Sequence, residues 1–271
     1  MTWYCAKAIE AYKYADDDRK FPIIIDENLY LVEAVSLAEA RCRSEIFAEE
    51  MAAVWRSPLY VGGAKGRVVS AGLRSIEKLD VNCIECGMVV SRSLYEASNS
   101  EASQFVQESK VLQLTYLDPG SRFSIKTENI ACAKLIRKTT EQYDELWWYS
   151  AHLVYSLTSR NSRPLILEEV AVFEFLSDEW REAETLGLAR AACSKVSFGG
   201  FEYEISFKGV RQVTLIHDAE VGTGLQSFGW IGQSKFEICS QQQFERLLSN
   251  QDCILALLPS SLCNLSVPDS A

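Results

Sequence analysis

Histidine is scarce in this chain: among 271 residues only His152 and His217 carry imidazoles. Nucleophilic catalysis needs a base placed beside Ser or Cys, and zinc draws on closely spaced Cys and His, so two unmatched histidines leave little material for either. A single Cys-x-x-Cys, Cys83-Ile84-Glu85-Cys86, has no second pair to complete four ligands. It also precedes a predicted strand, whereas a redox pair opens a helix. No metal and no cofactor is expected. Long apolar runs are lacking too; none approaches the ~20 residues that span a bilayer. The opening residues have neither the basic start nor the apolar stretch of a signal peptide. Positive charge is in deficit, with 27 Lys and Arg against 37 Asp and Glu and a formal net charge of -10. Such a field repels a phosphate backbone and disfavours nucleic acid as a partner. Nine scattered cysteines, an odd number, suit reduced thiols, so the expectation is a cytoplasmic protein with no membrane partner.

What the chain does have is a pattern that occurs twice. Trp3-Tyr4 returns as Trp148-Tyr149, each opening a segment of period-two alternation that marks a half-buried strand. A second strand follows, Asn28 to Ala34 in one stretch and Val170 to Phe175 in the other, with Glu33 and Glu174 at matched places. A helix comes next: Ser36-Leu37-Ala38-Glu39 reads as a capping box, and Ser177 with Asp178 and Glu179 starts its counterpart. Leu37, Ala40, Phe47, Met51 and Val54 give the first helix an apolar stripe, and Trp180, Ala183, Gly187 and Ala191 the second. Glycine turns lead to third strands, where Gly72-Leu73-Arg74 matches Gly209-Val210-Arg211. Fourth strands near Gly87 to Val90 and Lys235 to Cys239, short helices from Ser100 and Ser240, and closing runs at Val111 to Leu117 and Cys253 to Leu258 complete each stretch. Separations between matched residues fall in order, from 145 between the tryptophans to 141 between the glutamates and 137 between the glycines. Loop shortening in a second copy gives such an ordered drift.

The expectation is therefore an α+β fold: two tandem copies of a small antiparallel-sheet domain with helices packed on one face. Residues 1-118 form the first repeat domain, 119-145 a bridging turn and amphipathic helix, 146-259 the second repeat domain and 260-271 a flexible tail. At Trp148-Tyr149-Ser150-Ala151-His152, Glu174 and Gly209-Val210-Arg211, and again at Trp3-Tyr4-Cys5-Ala6-Lys7, Leu31-Val32-Glu33-Ala34 and Gly72-Leu73-Arg74, the chain resembles the bacterial domain of unknown function 4288. That resemblance implies the same fold in both copies and brings no established activity with it.

Seven residues are candidates for a binding site: Arg74, Arg211, Glu33, Glu174, Trp3, Trp148 and His152. The repeated arginines are expected to pair with Glu33 and Glu174, fixing strand to strand. The tryptophans point away from the face of Tyr4 and Tyr149, either against the other copy or into a partner surface. His152, matched by Lys7, is expected to face solvent. The glycine-rich Val61 to Arg67 lacks the Lys-Ser/Thr ending of a P-loop and opens a strand, and Asp16-Asp17-Asp18 lacks calcium-loop spacing. His217-Asp218 has no third ligand in sight. With no catalytic constellation, the favoured function is a non-enzymatic bacterial protein-binding module; neutralisation of a basic toxin by an immunity-type protein is a concrete version. The alternative is an enzyme handling a small anionic ligand or nucleotide between the copies, through Arg74, Arg211 and Lys65.

Overall fold

In the computed structural model the described residues are 1–15, 23–54, 59–61, 64–81, 84–97, 102–107, 112–127, 147–175, 178–216, 228–233 and 237–257. The expected bridging helix, the tail, Asp16-Asp17-Asp18, Cys83 and His217 lie outside them. The strands are β1 (Thr2–Tyr14), β2 (Ile23–Ala34), β3 (Leu59–Val61), β4 (Ala64–Lys78), β5 (Met88–Ala97), β6 (Leu112–Leu117), β7 (Phe123–Thr127), β8 (Trp147–Thr158), β9 (Leu165–Phe175), β10 (Ser194–Phe198), β11 (Phe201–Leu215), β12 (Phe228–Gln233), β13 (Glu237–Cys239) and β14 (Cys253–Leu257). The helices are α1 (Leu37–Val54), α2 (Ala102–Gln107), α3 (Glu179–Cys193) and α4 (Gln241–Leu248). The fold is α+β and its strand pairs are antiparallel.

One feature departs from the expectation. The strands do not close two separate sheets; they join in a single 14-stranded sheet, in the order β3-β4-β1-β2-β13-β14-β6-β5-β9-β8-β11-β10-β7 with β12 as a side branch on β2. Read inward from its two ends, the path gives hairpin strand, β4-β1-β2-β13-β14 and hairpin strand, β11-β8-β9-β5-β6, with β7 as an extra terminal strand. The fourth strand of each stretch thus pairs with the second strand of the other: β5 with β9, and β12 and β13 with β2. Strand β7 was not foreseen, because Ser121 to Glu145 read as a bridge; β3 and β10 lie where each helix was expected to run straight into a glycine turn, and β12 was not foreseen either.

The path folds back on itself, since strands far apart in it share apolar clusters. One cluster joins Ile9, Ala11 and Ile25 to Val154, Ile166, Phe105 and the β6 and β14 side chains. Another joins Trp3, Cys5, Leu29 and Leu31 to Val170, Val172 and Ile216. Residues 3–12 of β1 are consequently buried on both faces. On the outer faces, α1 covers Ala6, Ala8 and Tyr30, and α3 covers Leu153, Tyr155 and Leu157. The buried line of α1 is Ala40, Ser44, Ala48 and Ala52, and Leu37 is 52% exposed. Small residues bring this helix close to the sheet, so the larger stripe expected from Leu37 is displaced. Trp180 of α3 is likewise exposed, while Ala183, Leu186 and Gly187 are buried.

Caps follow the sequence in part. Ser36 Oγ accepts from the Glu39 amide at 3.2 Å, but Glu39 reaches back to the Val35 amide and not to Ser36. Asp178 caps α3 by accepting from the Arg181 amide, and Ser240 with Gln243 forms a full capping box on α4.

The motif shared by Gly72 and Gly209 has a mechanical meaning. Both glycines have positive φ, 109° and 149°, and both sit where β4 or β11 loses register against its neighbour. Gly72 lies opposite Ile9 and Gly209 opposite Val154, which are matched positions on β1 and β8. Each strand has two such bulges: Ala71 and Lys208 are the extra residues before the glycines, and Arg74 and Arg211 the extra residues after them. The side-chain alternation is therefore reversed between the two bulges and restored beyond the second. Val69 and Ala71 before the bulge face the inner cluster, and Leu73 after it faces α1. Arg74 is thereby turned inward, as is Arg211 beyond Gly209. Because no atom lies within 4 Å of a Cβ built at Gly72, Gly72→Ala tests backbone conformation alone. It is expected to cost about 1 kcal/mol or more, read as a lower urea midpoint.

Candidate functional site

Inward-facing polar side chains form two matched groups between the two inner clusters. In the first, Arg74 Nη1 lies 2.5 Å from Glu27 Oε2, both nearly sealed from solvent, and the guanidinium carbon sits 3.5 Å from the centroid of the Tyr116 ring. Lys7, 2% exposed, donates from Nζ to the Arg92 carbonyl at 2.8 Å and to Ser93 Oγ at 3.1 Å. In the second, Arg211 Nη2 lies 2.7 Å from Glu168 Oε1, the same oxygen that meets His152 Nδ1 at 2.8 Å. Arg211 stands over the Phe105 ring at 5.1 Å, with its Nη2 3.3 Å from His152 Nδ1.

The arginines do pair with glutamates, but with Glu27 and Glu168, six residues before the expected Glu33 and Glu174. The strand register decides this. Glu27 stands opposite Ile9, which stands opposite Gly72, so the bulge delivers Arg74 across β1 to Glu27. Glu33 is aligned with Trp3 at the strand end, and its carbonyl accepts from Arg43. Glu174 is aligned with Trp148, and its amide donates to Cys86 Sγ at 3.4 Å. Partial burial raises the Glu174 carboxyl above its ordinary range.

His152 is 1% exposed, which overturns the expectation of a solvent-facing residue. Its strand face is the inner one, shared with Val154, and it is covered by the opposed half of the sheet. Trp3 is buried, and Trp148 is half-buried against the cluster that contains Trp3, Cys5, Val170 and Val172. Of the two alternatives for the tryptophans, the structure has packing between the two stretches. Lys65 is exposed on the β3–β4 hairpin, away from both arginines.

Burial works against every charge in this layer, and the partners reverse it for some. Burial would raise Glu27, but Arg74 and Lys7 hold its carboxyl below the ordinary range. Burial would lower Lys7, yet Glu27, with Tyr116 and Glu77, holds the ammonium above its usual value against Arg74. For His152 burial wins: its affinity for a proton is lowered despite Glu168, and Arg211 adds to the effect. On the outer face of β9, Glu169 accepts from Arg190 Nε at 2.7 Å and from Arg92 Nε at 2.9 Å, and the two guanidinia keep it ionised against its burial. The Cys5 thiol is pushed up to about 12 by burial, which removes it as a nucleophile at neutral pH.

Two features lie apart from this layer. Glu10, on the outer face opposite Asp26, is raised to about 7 by burial. An open cleft of about 990 Å³ lies on β7, β8, β10 and β11, with Lys126, Lys195, Arg160, Glu202 and Glu204 in its lining, and neither Arg74 nor Arg211 reaches it. Among the described residues no cluster of three or more His, Cys, Asp or Glu is placed to hold a metal, and no helix is long and apolar enough to cross a membrane. No protein-family model, curated protein or solved structure matches the chain.

Glu27, Glu168 and Lys7 are the site residues that sequence reasoning missed. A signal was present: Glu27 shares its parity with Ile25, Leu29 and Leu31, and Glu168 with Ile166, Val170 and Val172, so each is a charge on an apolar face.

Two predictions follow from these charges. Arg74→Met leaves a buried carboxylate short of its main partner and is expected to cost about 3 to 5 kcal/mol in urea unfolding, whereas Arg74→Met with Glu27→Gln recovers part of the loss. Glu10, with its folded-state affinity for protons raised from 4.5 to about 7, favours the folded state below 4.5 and loses that contribution as pH rises through 7. Glu10→Gln is therefore expected to melt at a higher temperature than the native chain at pH above 7 and at a similar temperature near pH 4.

Proposed function

We propose that the chain is a non-enzymatic bacterial protein-binding module built from two interlocked copies of one α+β unit. The observation that carries this reading is the closure of both repeated arginines on buried glutamates. An anion-handling site between the copies requires guanidinia that a substrate can reach, and Arg74 and Arg211 are each only 2% exposed in their side chains. Their charge is already spent on Glu27 and Glu168, and the ion pairs serve to fix strands against one another.

Duplication is supported by the matched bulges, the matched ion pairs and the palindromic strand order. The likeness to domain of unknown function 4288 rests on the same residues, since the shared Gly-x-Arg is the bulge and its arginine. The acidic balance of the whole chain, -10, suits a basic protein partner met in the cytoplasm, as in immunity-type neutralisation of a toxin, because opposite charge speeds encounter and selects among partners.

Immobilised full-length chain offered a bacterial lysate at low ionic strength is expected to retain a basic protein that high salt releases. Retention of a nucleotide or anionic metabolite in place of any protein, with a matching rise in melting temperature, would turn the assignment to the enzyme.

A further inference from the structure

The two polar groups repeat an arginine–glutamate pair but differ in the ring under the arginine, Tyr116 of β6 or Phe105 of α2, and in the residue beside it: β1 supplies Lys7 where β8 supplies His152. Lys7 is a cation whose Nζ has acceptors in the Arg92 carbonyl and Ser93 Oγ. His152 has one polar contact direction filled. Its Nδ1 meets Glu168 Oε1 at 2.8 Å, so the neutral ring carries its proton there, and Nε2 is buried with no hydrogen-bond partner among the described residues. The charged groups facing the ring are Glu168 from β9, Arg211 from β11 and Glu27 from β2. From α2 comes the apolar ring of Phe105, packed under Arg211.

A second proton on this ring lands on Nε2. It adds positive charge beside a guanidinium whose nitrogen is 3.3 Å from Nδ1, and it creates a buried N–H donor with no acceptor among the described residues. Glu168 brings one negative charge to the two cations that would then share its Oε1, and Glu27 is held by Arg74. These are the costs of an under-paired buried charge.

We infer that protonation of His152 loosens the joint where β8, β9 and β11 meet β1 and β2, so that the fold carries an acid-sensitive latch on one of its two matched sides. The joint is the layer between the two shared clusters, and opening it uncovers Trp3 and Trp148, which pack in one of them. The direction agrees with the lowered proton affinity of the buried ring: the contribution of His152 to stability is complete above about pH 6.5 and is lost as pH falls toward its folded-state value. Glu10 contributes with the opposite sign, so the effect is read as a difference between two proteins that share Glu10.

The test compares the full chain with His152→Gln, which keeps a donor for Glu168 and cannot titrate. Between about pH 7 and pH 5 the folding equilibrium constant of the native chain, from urea unfolding, is expected to fall about tenfold more than that of the variant. Acrylamide quenching of tryptophan in the folded native chain should rise over the same range while far-ultraviolet circular dichroism holds. Parallel pH profiles for the two proteins would overturn the latch. Should the variant fail to fold, nitrogen chemical shifts of the two histidines in the native chain decide: a neutral His152 with its proton on Nδ1 at neutral pH supports the inference, and a doubly protonated ring refutes it.

Discussion

The arrangement depends on ionised side chains placed inside the protein, each arginine held against an opposite charge. Desolvating a guanidinium or a carboxylate costs several kcal/mol, which only close opposite charge and further hydrogen bonds repay. Here Arg74 with Glu27 and Arg211 with Glu168 occupy the mid-layer of the molecule, with apolar clusters on either side. Because each pair spans from the second to the third strand of its stretch, it sets which residues of three strands must align. A one-residue slip of either strand would point a charge at an apolar cluster, so the ion pairs act more on register than on net stability.

The glycine bulges are the other half of that device. An uninterrupted strand carrying Val69 and Ala71 toward the inner cluster would send Arg74 outward, beneath α1. A backbone that only glycine adopts freely reverses the alternation at Gly72 and at Gly209, and a second bulge at Arg74 or Arg211 restores it. This gives a physical reason for a Gly-x-Arg pattern in both stretches that involves no ligand.

Much of the element order was legible in the sequence, because period-two alternation and cap residues are local. Trp3 and Trp148 do lie at the starts of two strands, β1 and β8, and Gly72 and Gly209 at bulges in the strands beside them. What the residues could not convey is which strand lies beside which, since a hydrogen-bonded neighbour is chosen by the whole chain. For the same reason Glu33 and Glu174 were assigned to the arginines: they are matched to each other, but they stand six residues from the point that the register selects. His152 was placed in solvent because it lies on the face opposite Tyr149, Ala151 and Leu153 and is matched by a lysine, Lys7. That face is covered by the opposed half of the sheet, a partner that local pattern does not reveal. The large side chains of α1 misled for a related reason, since Ala40, Ser44 and Ala48 permit a closer approach than Leu37 or Phe47 would.

The reciprocal pairing of β5 with β9 and of β13 with β2 also bears on how the chain is made. A ribosome delivers β2 long before β13, so one border of the early sheet keeps its amide and carbonyl groups open while roughly two hundred further residues are added. Neither stretch can finish its own sheet, and nascent molecules close together are exposed to trading strands with one another. Slow synthesis or crowding on a messenger would then favour tangled oligomers over the correctly threaded chain, which places the burden of quality control on the late arrival of β13 at β2.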